Sequence, residues 1–110
     1  MTYKTLNRIL SQMKMGEPPR NVDLIVEISN IPWEKILDID LDICSEILLE
    51  ISADAIVVMF SPIEVKKTYL PAFIKISNDI KMSNILYKSI EFEDYFNKYI
   101  SYVNEIESGI

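Results

Sequence analysis

Residues 60–74 read FSPIEVKKTYLPAFI, and this stretch carries the densest local structural signals in the 110-residue chain. Ser61 followed three residues later by Glu64 has the spacing of a capping box, in which the Ser oxygen and the Glu carboxylate each satisfy an orphaned backbone N–H at a helix start. Pro62 between them takes the first helical position, where its missing N–H is no loss. Phe60 before the cap and Val65 inside the helix supply a pair for a hydrophobic staple. Together these cues predict a helix entered at Ser61. Pro71 then removes the donor for the Lys67 carbonyl, which predicts a kink or a division within Tyr69-Leu70-Pro71-Ala72-Phe73.

Working outward, Ser89 introduces the clearest amphipathic pattern of the chain. Phe92, Tyr95, Phe96, Tyr99, Val103 and Ile106 fall on one stripe, and Gly109 can end it. A brief helix through Ile85, Leu86 and Tyr87 is expected before it, capped by Ser83 or Asn84, with the helix after Pro71 fading near Asn78. Upstream, Cys44, Ile47, Leu48, Ile51, Ala55 and Val58 have helical spacing, with Asp40 or Asp42 as the candidate cap. The β-branched run Ile56-Val57-Val58 also suits a strand, but the Ser-Pro start leaves almost no loop in which to turn, so we read helix. Val22 to Ile28 is similarly double, alternating like a strand while fitting a short helix, and helix is preferred because no partner strand is evident. Pro32 can open a short helix carrying Trp33, Ile36 and Leu37, with the indole N–H reaching a partner at the core edge. Thr2 to Lys14 is an amphipathic helix built on Tyr3, Leu6, Ile9, Leu10 and Met13, ended by Gly16 and Pro18-Pro19.

Composition agrees with this pattern. The chain is 49% hydrophobic with only two Gly, whereas many-stranded folds need repeated turn glycines. The expected fold is all-α: one domain over residues 1–110, a compact bundle of about five to seven helices, one kinked at Pro71. The lone Cys44 has no intramolecular partner and Met1 begins no secretory signal, so a cytoplasmic location is expected. No apolar run approaches the roughly 20 residues of a membrane span.

Histidine is absent, which removes Ser-His and Cys-His pairs and imidazole metal sites. No Gly-rich phosphate loop is present either. Asp38-x-Asp40-x-Asp42 opens like a calcium loop, but Ile43 stands where the turn needs Gly and Leu49 where the closing Glu belongs. Asp54 with Glu64 and Lys66 imitates the Asp…Glu-x-Lys metal site of nucleases, in which carboxylates hold Mg²⁺ and Lys assists the attacking water. That site normally rides on paired strands. The expectation is therefore a protein that is not an enzyme and takes no cofactor.

Charge points instead to binding. Net charge is −6, a field that repels nucleic acid and anionic membrane. Between Glu34 and Asp54, seven carboxylates (Glu34, Asp38, Asp40, Asp42, Glu46, Glu50, Asp54) face Lys35 alone, a local balance of −6 that equals the whole net charge. Such a cluster is either a solvated helix face or a surface that pairs with Lys and Arg around a basic cleft and steers association. Tyr102, off the C-terminal stripe, is a candidate exposed contact. The N-terminal segment is the exception, with Lys4, Arg8, Lys14 and Arg20 against Glu17.

Ser61-Pro62 with Tyr69-Leu70-Pro71-Ala72-Phe73 resembles a pattern of small helical bacterial proteins of unassigned function. In its shortness, acidity and lack of His and cofactor motifs, the chain also resembles the immunity proteins of bacterial contact-dependent growth inhibition and related polymorphic toxin systems. That resemblance implies a toxin inhibitor whose Glu34, Asp38, Asp40, Asp42, Glu46 and Glu50, with Tyr102, meet the basic cleft of a cognate toxin, a nuclease by preference. A self-associating or other interaction subunit is the alternative, and a nuclease on Asp54, Glu64 and Lys66 the third.

Overall fold

Side chains that can accept a hydrogen bond from the first turn set three of the helix starts. In the computed structural model, which describes residues 3–36, 40–83 and 89–110, α1 spans Tyr3–Met15, α2 Val22–Ser29, α3 Trp33–Ile36, α4 Leu41–Met59, α5 Ile63–Met82 and α6 Ile90–Ser108. No strand occurs among the described residues, so both double-reading stretches, 22–28 and 55–59, are helical and the fold is an all-α bundle. The brief helix expected over 85–87 lies outside the described residues. Asn21 accepts from the Asp23 N–H at 2.8 Å, Asp40 from Ile43 at 3.0 Å and Ser89 from Phe92 at 3.2 Å, each satisfying a donor that has no intrahelical partner.

The start of α5 differs from the sequence expectation. Pro62 occupies the cap position and no side chain caps the helix. The Ser61 hydroxyl donates backwards, to the Val57 carbonyl at 2.8 Å, and its N–H donates to Val58 at 3.0 Å. Only Phe60, Ser61 and Pro62 separate α4 from α5, so Ser61 is still within reach of the carbonyls left open at the end of α4. Phe60 is 80% exposed and staples nothing. Pro71, expected to kink or divide the helix, lies inside an α5 that continues to Met82. Its missing N–H deprives the Lys67 carbonyl of a donor, and Lys67 is exposed, where water can replace it. Two turns on, the Phe73 carbonyl gains extra donors in the Ser77 hydroxyl at 2.9 Å and the Tyr99 hydroxyl at 2.7 Å.

α4 is the hub. It packs most extensively against α6 and also against α1 and α5, while α5 carries α2, α3 and α6. The expected stripe of α6 is buried at Phe92, Phe96, Tyr99, Val103 and Ile106, each worth about 1.5–3 kcal/mol relative to exposure. Phe73 meets Tyr99 edge to face at 6.3 Å between centroids, a favoured aromatic geometry. Trp33 is fully buried with its indole N–H on the Ile28 carbonyl at 3.1 Å, as expected of a core Trp with a polar tip. A radius of gyration of 13.0 Å matches one domain of this length, about 13 Å.

Candidate functional site: the acidic face of α4

Asp42, Glu46, Glu50 and Asp54 recur every four residues and therefore stack along one side of α4. The fold divides them into two halves. In the C-terminal half, Asp54 is completely buried. One of its carboxylate oxygens accepts the Arg20 backbone N–H at 2.8 Å and the other accepts Arg20 Nη1 at 3.1 Å. Nη1 also donates to the Glu50 carbonyl at 2.9 Å, Nε donates to the Met13 carbonyl at 3.1 Å, and Nη2 pairs with the Glu50 carboxylate. The Tyr69 hydroxyl then donates to the Arg20 carbonyl at 2.8 Å. One arginine, on the loop after Pro18-Pro19, thus ties α1, α4 and α5 together. Among the described residues no buried side-chain polar atom lacks a partner, the condition under which a buried charge network is tolerable. Burial pushes the Asp54 carboxyl up, with the Glu50 charge adding to it, and the Arg20 N–H and guanidinium oppose the rise.

The N-terminal half faces outward. Asp40 is half-buried and spent on the cap, whereas Asp42 is exposed in the first turn, where the helix dipole favours a negative charge. Glu46 is exposed and pairs with Lys14 at 3.2 Å, a surface ion pair of little net stabilisation. Asp42 and Glu46 form a ridge between two clefts. On the α1 side a cleft of about 400 Å³ is also lined by Asp40 and Lys14. On the α6 side one of about 310 Å³ is also lined by Glu91 and Tyr95. The Tyr95 hydroxyl donates to Glu91 at 2.6 Å, and that bond raises its pKa above the ordinary phenol value.

Other residues expected at the site are dispersed. Glu34 is exposed on α3, and Asp38 lies outside the described residues. Tyr102, expected as an exposed contact, is half-buried against the core and lines a third cleft, of about 240 Å³, with Leu49 and Ile56. Glu50, expected at the contact surface, is held by Arg20 instead, because a buried guanidinium requires a carboxylate. Asp54, Glu64 and Lys66 are not assembled at one surface site. Asp54 is sealed under Arg20, Glu64 is exposed in the first turn of α5, and the Lys66 ammonium lies against Gly109 at the end of α6, where the helix terminus favours a cation. Among the described residues no group of three or more Cys, Asp or Glu is arranged to hold a metal ion, and no helix is long and apolar enough to cross a membrane.

The residue that sequence reasoning missed is Arg20. It reads as part of a solvated basic segment, yet it is buried, while Arg8 pairs with Glu27 and Lys14 with Glu46. Cations from outside residues 34–54 therefore neutralise part of the acidic run. A signal for Asp54 was present: it falls on the same face as Ile47, Ile51 and Val58, all buried. Comparison with protein-family models, curated proteins and solved structures gives no match.

Proposed function

We propose that this chain is a non-enzymatic binding protein that recognises a basic protein surface through the exposed carboxylates at the N-terminal half of α4. Within that class we assign it as an immunity protein that neutralises a cognate toxin in the cytoplasm by covering the toxin's basic cleft. A nuclease fits best as the toxin, because a cleft that binds phosphates must present Lys and Arg. The observation that carries this reading is the ridge of Asp42 and Glu46, exposed, concave on both flanks and extended by Glu91. Carboxylates so placed steer encounter and fix register with a cationic partner, and need no reactive group of their own.

The test is binding to a toxin domain encoded next to this gene, by calorimetry at low and high salt. Tight binding that weakens with salt is expected, with Asp42→Lys and Glu46→Lys each costing at least about tenfold in affinity. Asp40→Lys is a poor probe because Asp40 caps α4. Affinity unchanged in both reversals contradicts the proposal.

A further inference from the structure

The acidic cleft on the α6 side does not end at its carboxylates. Leu49 and Tyr95 line both that cleft and the more apolar one below it, so the two clefts adjoin along the seam between α4 and α6. Asp42 and Glu91 mark its upper end and Ile56 and Tyr102 its lower end. Asp42 to Ile56 is fourteen steps along a helix, about 21 Å. Leu49 and Ile56, one heptad apart with Ala53 between them, are 46% and 37% exposed, whereas Ile47, Leu48, Ile51 and Val58 of the same helix are wholly buried. This is a second apolar stripe on α4, on the side away from the core.

We propose that the α4/α6 seam is a docking groove for one amphipathic, cationic helix of a protein partner, with its apolar side chains on Leu49, Ile56 and Tyr102 and its Lys or Arg end against Asp42, Glu46 and Glu91. The inference rests on reading the acidic ridge as a binding surface, and adds the partner's conformation and orientation. A helix is the occupant because its backbone groups are bonded internally. An extended segment laid on Leu49 and Ile56 would bury unpaired N–H and C=O groups against apolar side chains. No strand edge among the described residues could pair with it. Two neighbouring helices also present the groove into which the ridges of a third pack, about 8–10 Å from each axis. Charge sets the direction: the upper end is anionic, while the lower cleft is lined by no carboxylate and its one charged side chain, Lys98, pairs with Asp94 at 3.9 Å. A nucleic acid is excluded from the upper end by like charge.

The experiment uses the full chain and a fluorescein-labelled peptide of about fourteen residues, with Leu at i, i+4, i+7 and i+11 and its Lys and Arg confined to one end. Binding is read by anisotropy, alongside a peptide of the same composition in scrambled order. The ordered peptide should bind at least about tenfold tighter than the scrambled one, and Ile56→Glu and Asp42→Lys should each weaken it about tenfold. Both positions are exposed, and a cooperative thermal transition checks that the fold is kept. A spin label on the cationic end should broaden amide signals near Asp42 and Glu91 and spare those near Tyr102. Equal binding of the scrambled peptide, or affinity insensitive to Ile56→Glu, overturns the groove. If Asp42→Lys still weakens binding in that case, the acidic ridge stands as a binding surface without the groove; if neither substitution matters, both readings fall. A dimer of the chain alone that Ile56→Glu dissociates and the peptide does not displace assigns the seam to self-association and overturns the proposal.

Discussion

The two halves of the α4 acidic stripe share a helix and a spacing, and because each step of four residues turns the stripe about 40° further round, they meet opposite surroundings. Asp54 and Glu50 converge on the buried Arg20, whereas Asp42 faces water and Glu46 has only a surface partner in Lys14. A buried carboxylate without a cation costs several kcal/mol, so the lower half is committed to holding the loop after α1 on the bundle. An exposed carboxylate costs the fold almost nothing, and remains free to act on a partner. A run of like charge is thus not one functional unit: its members divide according to what the tertiary structure sets against them.

Removing Arg20 should break this contrast most severely. Arg20→Met leaves Asp54 charged and unpaired in the interior and should cost about 3–5 kcal/mol in urea unfolding, with Arg20→Met combined with Asp54→Leu recovering a large share. Alkaline pH probes the core beneath the exposed half. Burial, reinforced by the Asp40 charge, pushes the Cys44 thiol from 9.0 up to about 12. The unfolded thiol ionises first, so between these values the folded state binds more protons. Its stability contribution is intact below pH 9.0 and falls with rising pH, by about 1.4 kcal/mol per unit. Cys44→Ala should remove that part of the slope, measured as the wild-type minus variant difference across pH 9 to 11. Asp40→Ala, which deletes the cap of α4, should cost about 1 kcal/mol in the same unfolding assay. Asp42→Lys, which reverses a charge that the helix dipole favours, should cost about 0.5–1 kcal/mol, far short of unfolding, so that a large loss of binding it causes is a loss of contact.

What the sequence made legible was local. Asp40 and Ser89 announce their helices because a cap needs only a short polar side chain within reach of the next turn, and the α6 stripe follows from spacing alone. Trp33 was legible because a large ring with one donor has few stable placements. Ser61 was misread because the same hydroxyl can cap the helix ahead or close the helix behind, and a three-residue turn favours the latter. Of the two outcomes expected at Pro71, a division does not occur, because one open carbonyl on an exposed flank does not require a helix to end. Arg20 was illegible as a core residue because its carboxylate partners lie 30 and 34 residues away, on a helix whose docking no local pattern encodes. The candidate site inherits that limit: the acidic residues were visible, and the place of Asp54 on the apolar face pointed to its burial, but the arginine that holds it there was not legible.

The division itself is tested most directly by urea unfolding, at neutral pH, of four single neutralisations along one helix: Asp42→Asn, Glu46→Gln, Glu50→Gln and Asp54→Asn. The expected result is a loss concentrated in the last two, largest for Asp54→Asn at about 3 kcal/mol, with the first two within about 0.5 kcal/mol of wild type. Equal losses along all four positions, or a loss centred on Asp42 and Glu46, would contradict the account.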